Sequence, residues 1–369
     1  MYEPYLLVRG RRLAKSSFRL KKILSILLIP FGVFFGIIGL VRRWLYKNGW
    51  LNSYPSTLTT IGIGNLTVGG TGKTPMVEYL LRLLKDEHRV ATLSRGYKRE
   101  TEGYLNSTIC DTVDACTFGD EPAQLHEKFP DIQVVVCEKR EEALRRLEHV
   151  AQRPEVVLLD DAYQHLQVRC SLNLLLTDFS RLYCDDFPMP SGRLREFPLA
   201  ASAADAVIVT KSPGALTPEE AEKIRMKLKV TDTQSCFFTT LVYDELTPVT
   251  PTAQQLSPSP SSPVILLTGI ANPKPMHQEI SKRFTNIETI SYRDHHTFTD
   301  KEIESLCQKI ADKRGGAIII TTEKDGVRLR DRRIRTLTDK LPIFVLPVRV
   351  KFLFGDEERF NKMVKGIWK

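Results

Sequence analysis

The feature that most constrains this chain is a glycine-rich loop between an apolar strand and an amphipathic helix. Gly-Gly-Thr-Gly-Lys-Thr at residues 69–74 follows a strand predicted over residues 59–64. Glycines let successive backbone N–H groups point at phosphate oxygens, and a helix N-terminus favours negative charge. Lys73 would then reach the β- and γ-phosphates, and the Thr74 hydroxyl would ligate Mg²⁺. The loop therefore predicts binding of a nucleoside triphosphate.

The loop departs from the strict phosphate-loop pattern at one position. Thr67 stands where the first glycine of G-x-x-x-x-G-K-[ST] is expected. A glycine-rich turn with a solvent-facing lysine is the alternative, but the strand before the loop and the helix after it favour nucleotide binding. The predicted nucleotide contacts are Thr67, Val68, Gly69, Gly70, Thr71, Gly72, Lys73 and Thr74.

A second apolar strand ends in two carboxylates, Asp160 and Asp161. In a phosphate-loop protein such a strand end holds Mg²⁺, either directly or through water. Taken alone, paired acids after a strand are also typical of a turn or a helix cap. Because this strand follows the phosphate loop along the chain, we favour the metal role.

From residue 58 onward, short apolar strands alternate with amphipathic stretches. This alternation is typical of a mostly parallel sheet covered by helices. A segment rich in Pro, Ser and Thr at residues 247–263 breaks the pattern and is interpreted as a linker or hinge. We therefore predict an α/β fold, with a P-loop NTPase-type kinase domain in residues 50–246 and a second, smaller α/β domain in residues 264–369.

The excess positive charge is confined to residues 1–49, which carry ten Lys and Arg against one acid and so account for the net charge of +9. The balanced remainder argues against a nucleic-acid partner. Within the basic segment, residues 23–41 form an apolar run of about nineteen residues, just long enough to cross a bilayer. We predict a membrane-anchoring helix there. Basic residues flank both of its ends, so spanning and interfacial placements both fit.

The seven cysteines form no C-x-x-C pair and leave an odd one over. Neither a disulfide framework nor a structural zinc site is indicated. We interpret them as reduced thiols in a cytosolic compartment.

Further polar clusters occur in order along the chain. They are Ser94-Arg95-Gly96-Tyr97, Gly119-Asp120-Glu121-Pro122, Asp160-Asp161-Ala162-Tyr163-Gln164-His165, Gly192-Arg193-Leu194-Arg195-Glu196, Thr268-Gly269-Ile270-Ala271-Asn272-Pro273, Asp294-His295-His296 and Thr322-Glu323-Lys324-Asp325. Together with the phosphate loop, this ordered set resembles the tetraacyldisaccharide 4'-kinase family of lipid A biosynthesis, from about residue 20 to about residue 330.

The resemblance implies an ATP- and Mg²⁺-dependent lipid kinase. Its reaction would transfer the γ-phosphate of ATP to the 4'-hydroxyl of an acylated glucosamine disaccharide 1-phosphate, giving a bisphosphorylated lipid A precursor, lipid IVA. It would act at the cytoplasmic face of the inner membrane of a Gram-negative bacterium, attached by its N-terminal helix and without an obligate protein partner.

The resemblance also implies roles for individual residues. Asp120 is similar to a catalytic base paired with His295, and these two would meet only when the two domains close. Without the resemblance, a helix cap would be favoured for Asp120. Lys73 completes the catalytic set. The Mg²⁺ candidates are Thr74, Glu121, Asp160 and Asp161, and the candidates for substrate or phosphate contacts are Arg95, Tyr97, Gln164, Arg193, Arg195 and Glu196.

One rival class remains open at this point. A membrane-associated P-loop ATPase that acts as a nucleotide switch for partner binding would carry a similar loop. It would hydrolyse ATP slowly without any acceptor lipid, and the Asp120 and His295 motifs have no evident role in it.

Overall fold

The computed structural model describes residues 25–294, 296–313 and 316–368. The strands within these ranges are β1 (Thr59–Asn65), β2 (Val90–Ser94), β3 (Leu105–Asn106), β4 (Gln133–Val136), β5 (Val156–Asp160), β6 (Leu172–Asp178), β7 (Ala206–Thr210), β8 (Ser235–Tyr243), β9 (Thr247–Pro248), β10 (Val264–Thr268), β11 (Ile287–Ser291), β12 (Ile318–Thr321), β13 (Ile343–Val345) and β14 (Val348–Phe352). The α-helices are α1 (Ile29–Lys47), α2 (Lys73–Leu84), α3 (Asp120–Lys128), α4 (Arg140–Leu147), α5 (Pro218–Leu228), α6 (Pro251–Gln254), α7 (Lys274–Arg283), α8 (Asp300–Ala311), α9 (Glu323–Leu329), α10 (Arg335–Thr338) and α11 (Glu357–Lys365).

Nine of the described strands form one sheet, in the order β14-β8-β7-β6-β1-β5-β2-β4-β3. Neighbouring strands are parallel except at the two edges, where β14 and β3 run antiparallel to their neighbours. Every residue of β5 is buried, because Leu158 packs into the core on one face while Val157 and Leu159 pack into the core on the other. A sheet buried on both faces needs continuous apolar strands. The predicted α/β class with a mostly parallel sheet is confirmed.

The other five described strands form a second sheet, in the order β11-β10-β12-β13-β9. All pairs are parallel except β13 with β9. Strand β10 contributes side chains to two hydrophobic cores, Val264 and Leu266 on one face of the sheet and Ile265 and Leu267 on the other. This smaller unit therefore also has helices on both sides of its sheet.

The structure differs from the predicted domain boundaries at both ends of the smaller unit. The interpreted linker begins with β9, which pairs with β13, and the buried Thr250 hydroxyl donates to the carbonyl of Leu341 at 2.6 Å. At the other end, β14 pairs with β8, and Phe360 of α11 is buried in the core of the larger unit. Strand pairing between distant segments decided both boundaries, and short apolar runs do not specify which sheet edge they join.

Helix α1 lies against the larger unit along one narrow face. Its Gly32 and Gly36 are buried. A Cβ atom on Gly32 would lie 2.4 Å from Ser191 Oγ, and one on Gly36 would lie 2.3 Å from a ring carbon of Phe197. The glycines therefore allow the helix backbone to approach the loop at residues 187–197. The opposite face is apolar and exposed, and its large exposed side chains include Phe31, Phe34, Phe35, Ile37, Ile38, Val41 and Trp44.

Candidate active site

The predicted phosphate loop connects β1 to α2, as its sequence required. Gly69 and Gly72 have φ angles of 112° and 82°, which favour glycine. Helix α2 begins at Lys73, and no side chain caps its N-terminus. The first N–H groups of α2 are thus free of side-chain caps, and together with the positive end of the helix dipole they would favour an anion bound at this N-terminus. The Lys73 ammonium lies 3.3 Å from Asp161 Oδ1 and 3.4 Å from Asn65 Oδ1.

Two of the acids predicted for Mg²⁺ lie at the end of β5, beside β1: Asp160 is its last residue and Asp161 follows. Their environments differ. Burial, the carboxylate of Glu121 and the charge of Asp161 raise the pKa of Asp160 to about 7, against the opposing effect of Lys73. Burial also disfavours the charge of Asp161, but Lys73 and Arg195 outweigh it and hold the pKa of Asp161 below its ordinary value. Asp160 is therefore the buried carboxylate that a cation would stabilise most.

The chemistry of this donor set fits Mg²⁺. Among the residues that the structure describes, no group of three His, Cys, Asp or Glu side chains is arranged to hold a metal on its own. Mg²⁺ usually takes only one or two protein carboxylates and completes its shell with water and nucleotide oxygens. Asp160, Thr74 and the nearby Glu121 suit that requirement.

The loop that carries the predicted Arg193, Arg195 and Glu196 lies against the phosphate loop. The N–H of Val68 donates to the carbonyl of Arg193 at 2.9 Å. Arg195 forms an ion pair with Asp161 at 2.9 Å, and its guanidinium also donates to Gln164 Oε1 at 3.2 Å. Arg195 and Gln164 are therefore parts of the site's own framework, directly beside Lys73.

Helix α1 contacts the same framework through its last two arginines. Arg43 pairs with the buried Glu196 at 2.5 Å and donates to the carbonyl of Tyr163 at 2.9 Å. Arg42 donates to the carbonyl of Gln164 at 3.1 Å. The predicted substrate contact Glu196 is thus paired with α1 in this structure. Sequence reasoning missed these contacts between α1 and the site, because basic residues that flank an apolar run are typical of a membrane interface.

Asp120 is the first residue of α3, and Gly119 precedes it with a φ angle of 94°. No side chain caps this helix, so the alternative in which Asp120 is a helix cap is wrong. Its carboxylate accepts two hydrogen bonds from Arg328 of the smaller unit, and Glu121 lies 3.6 Å from Lys324. Both acids therefore face residues of α9, across the boundary between the two units.

His295, the predicted partner of Asp120, lies outside the described residues. Its neighbour His296 lines a cavity of about 140 Å³ together with Asp120 and Arg328. The imidazole of His296 pairs with Glu302 at 3.0 Å and stacks on Tyr292. His296, Thr297 and Phe298 therefore line the cavity beside Asp120.

Sequence reasoning missed Arg140, which lies beside Asp160, and gave no role to His165. Arg140 is buried and donates to the carbonyl of Asp160 at 3.0 Å, while its Nε and Nη1 have no hydrogen-bond partner in the described part of the chain. Burial and the charge of Arg95 lower the pKa of Arg140 to about 10. Burial and the neighbouring arginines, Arg140 first, lower the pKa of His165 to about 3, so its imidazole is neutral.

The charge of the predicted Arg95 thus lowers the pKa of both Arg140 and His165. Arg95 itself is exposed and directly follows β2, and Tyr97 is 68% exposed. An available signal for Arg140 was its place after β4, since the carboxyl ends of parallel strands meet at one edge of the sheet.

A second lysine supports the phosphate loop from β7. Lys211 donates to the carbonyl of Gly70 at 2.5 Å and pairs with Asp178 at 2.8 Å. The adjacent Thr210 hydroxyl donates to the carbonyl of Thr71 at 2.8 Å. These contacts fix the loop's shape from the neighbouring strands.

The sheet order and the loop define the class of the protein. A glycine-rich phosphate loop follows β1 and leads into the N-terminus of α2. The adjacent strand, β5, ends in acidic residues. This combination is that of a P-loop nucleotide-binding protein.

Comparison with known proteins places it within that class. The chain matches the LpxK family, described as tetraacyldisaccharide-1-P 4'-kinase, over residues 24–369, and it belongs to that family. It is 41% identical over 329 residues to the tetraacyldisaccharide 4'-kinase of Flavobacterium johnsoniae, covering 89% of this chain and 92% of the relative. It is 38% identical over 351 residues to the tetraacyldisaccharide 4'-kinase of Bacteroides thetaiotaomicron, covering 92% of each. The resemblance seen in the motifs is confirmed.

A solved structure shows the same fold. The "apo" form of LpxK from Aquifex aeolicus, crystallised in complex with ATP, superposes with a TM-score of 0.70 at 28% identity. The match covers 94% of this chain and 100% of that chain.

Proposed function

We propose that this protein transfers the γ-phosphate of ATP to the 4'-hydroxyl of a tetraacyldisaccharide 1-phosphate, giving a bisphosphorylated lipid A precursor. One observation carries the proposal, beside membership of the family. Lys73, the Asp160–Asp161 pair and the first turn of α3 converge at the carboxyl edge of a parallel sheet, where such sheets bind ligands. The rival nucleotide-switch function offers no use for the acids of α3.

The nucleotide would bind with its phosphates over the N-terminus of α2. Lys73, held between Asp161 and Asn65, supplies a point charge beside the β- and γ-phosphates. Lys211 and Thr210 hold the loop carbonyls, so that the N–H groups remain directed at the phosphates. Bound Mg²⁺, held by Thr74 and Asp160 with Glu121 nearby, would neutralise charge on the phosphate oxygens.

Asp120 serves as the base in this proposal. It accepts the proton of the 4'-hydroxyl as the sugar oxygen bonds to the γ-phosphorus. The bond from that phosphorus to the β–γ bridging oxygen breaks, and ADP leaves with the electron pair. Because phosphoryl transfer has a loose transition state, positioning contributes more than the strength of the base. A role for His295 beside Asp120 stays a prediction.

Arg95 and Arg140 supply positive charge next to the acids. Arg140 has two buried guanidinium nitrogens without partners among the described residues, and an anionic oxygen of the substrates would satisfy them. In this proposal Tyr97, which is exposed on the same loop as Arg95, contacts the sugar.

The acceptor is a lipid, and α1 provides the contact with the membrane. Among the described residues, α1 alone is long and apolar enough to cross a bilayer by length and composition. However, Gly32 and Gly36 lie in the middle of the apolar run and face the loop at residues 187–197 of the larger unit. A spanning helix would carry that loop into hydrocarbon, which is costly for its polar and backbone groups. We therefore propose that α1 lies in the interface of the cytoplasmic leaflet, with Phe31 and Phe34 towards lipid.

The test is phosphate transfer from labelled ATP to a detergent-dispersed tetraacyldisaccharide 1-phosphate with Mg²⁺. Wild type should form the bisphosphorylated lipid, and both Lys73→Ala and Asp120→Ala should lower its formation to a small residual rate. Lys85→Ala is the matched control, because Lys85 is exposed at the other end of α2 and forms an ion pair with the neighbouring Asp86. ATP hydrolysis without any lipid product, at the same rate with and without lipid, would favour the nucleotide switch instead.

A further inference from the structure

Arg328 is the residue of the smaller unit that contacts the proposed base most directly. Its Nε and Nη2 lie 3.0 and 2.6 Å from Oδ2 of Asp120, which is 208 positions away in the sequence. The third nitrogen, Nη1, lies 2.7 Å from Asp325 Oδ1 and 3.3 Å from the carbonyl of Gly269. Arg328 is only 6% exposed. It is therefore a buried, multiply bonded side chain and not a mobile surface charge.

The orientation of Arg328 is fixed from behind by Asp325. That carboxylate is fully buried and accepts hydrogen bonds from the N–H of Gly269 at 2.8 Å and from the hydroxyl of Thr322 at 2.8 Å. Thr322 also caps α9 through the N–H of Asp325. The cluster Thr322-Glu323-Lys324-Asp325 found in the sequence thus builds a rigid support for the guanidinium. Preorganised support of this kind is typical of groups that must hold a reacting side chain in place.

The contact suits a base that depends on position. Two donors on one carboxylate oxygen fix the plane of the Asp120 carboxylate and hence the direction of Oδ1. A guanidinium stays charged and has no lone pair to accept a proton, so it leaves the proton transfer to the carboxylate. A small misplacement of a reacting group costs about 100-fold in rate.

The contact also links the base to closure of the two units, since Asp120 and Arg328 belong to different ones. Other ion pairs join the same surfaces. Arg330 pairs with Glu127 at 2.5 Å, and Lys128 pairs with Glu323. These neighbours would keep the units together when Arg328 is changed, so a loss caused by Arg328→Gln would not require an open cleft.

We propose that Arg328 is a positioning residue that orients Asp120 for transfer once the smaller unit has closed on it. The proposal rests on the proposed function, in which Asp120 is the base. Arg328 acts through Asp120 and does not itself take part in the chemistry.

The experiment compares Arg328→Gln, Arg328→Lys and Arg330→Gln in the full chain, with the lipid phosphorylation assay at saturating and limiting ATP. Arg328→Gln should lower kcat about 100-fold and change KM for ATP less than about threefold. Arg328→Lys should recover part of the loss, because an ammonium keeps the charge but not the paired contact. Arg330→Gln, the matched control in the same segment, should stay within about threefold of wild type.

A double variant separates the proposal from the function on which it rests. Combining Arg328→Gln with Asp120→Ala should lower the residual rate no further than Asp120→Ala alone, because residues that act as a unit are not additive. Equal losses for Arg328→Gln and Arg330→Gln, a change confined to KM, or an additive double variant would overturn the role of Arg328. Absence of lipid product from wild type would instead overturn the proposed function, and full activity of Asp120→Ala would overturn the base.

Discussion

The nucleotide half and the acceptor half of this site are built in different ways. Lys73, Asp160 and Asp161 come from adjacent strands of a single sheet, so folding of the larger unit alone brings them together. The proposed acceptor half pairs Asp120 with Arg328 across two units. The nucleotide half therefore needs only the larger unit, whereas the proposed acceptor half needs residues of both units. An enzyme built in this way limits ATP hydrolysis in the absence of an acceptor.

Removal of Mg²⁺ should give the largest effect and should act on the nucleotide half alone. A chelator is expected to lower lipid phosphorylation more than about 1000-fold, because the phosphate charge and the buried Asp160 lose their cation. Added Mg²⁺ should restore the rate. The unfolding midpoint of the nucleotide-free protein should not change, and a shift of several degrees would reveal a structural metal.

Lys128→Met should break an ionic contact between the units. Lys128 lies 2.6 Å from the buried Glu78 of α2 and also contacts Glu323 of α9. Removing it leaves two acids without their shared cation, so the free energy of unfolding should fall by about 3 kcal/mol in denaturant titrations. Lys85→Met is the control, and adding Glu323→Gln to Lys128→Met should recover part of the loss. An unchanged stability would show that this pair contributes only to closure.

Gly36→Leu tests whether α1 is a third part of the site. A side chain there would displace Phe197 and the loop that carries Arg195, so lipid phosphorylation should fall about 10- to 30-fold. Ile37→Leu, on the exposed face of the helix, should have little effect. Both variants should still pellet with anionic vesicles. Full activity of Gly36→Leu would mean that α1 acts only as an anchor.

The smallest effect concerns the pH dependence of stability within the nucleotide half. Because the pKa of His165 is lowered to about 3, the folded state binds fewer protons than the unfolded state. Stability from this group is present above the unfolded pKa near 6.5 and is lost as pH falls towards 3. The contribution of His165 to the free energy of unfolding should therefore fall by about 1 kcal/mol per pH unit below pH 6.5. The raised pKa of Asp160 acts in the opposite direction, so the quantity to measure is the difference between wild type and His165→Gln. Denaturant titrations at successive pH values should show wild type losing stability relative to His165→Gln by this amount, and parallel curves would contradict it.

Much of the nucleotide half could be predicted from the sequence, because its signals are local. Short segments of the chain dictate their own conformation here. This holds for the glycine φ angles, for the helix start at Lys73 and for the acids at the end of β5. The cap at Thr322 is similarly local. The sequence cluster around Asp120 was also visible, but its cap interpretation was wrong, since the chain pattern alone does not show which way a first-turn carboxylate points.

The contacts between distant segments could not be predicted in the same way. In three of these contacts, neither segment has a sequence pattern that identifies its partner. They are Arg43 with Glu196, Arg140 with the carbonyl of Asp160, and Arg328 with Asp120. The return of β14 to the larger sheet is another example. A short strand specifies its inward face but not its partner.

The sequence by itself determined the phosphate loop, the acidic strand end, the apolar N-terminal helix and the family of the protein, because these depend on residue type and spacing along short stretches. Only the tertiary structure decided that the arginines of this helix pair within the site, that β14 and α11 belong to the larger unit, and that an arginine from the smaller unit contacts the proposed base. Packing and charge pairing act between residues that are distant in the sequence, and these residues come into contact only when the chain folds.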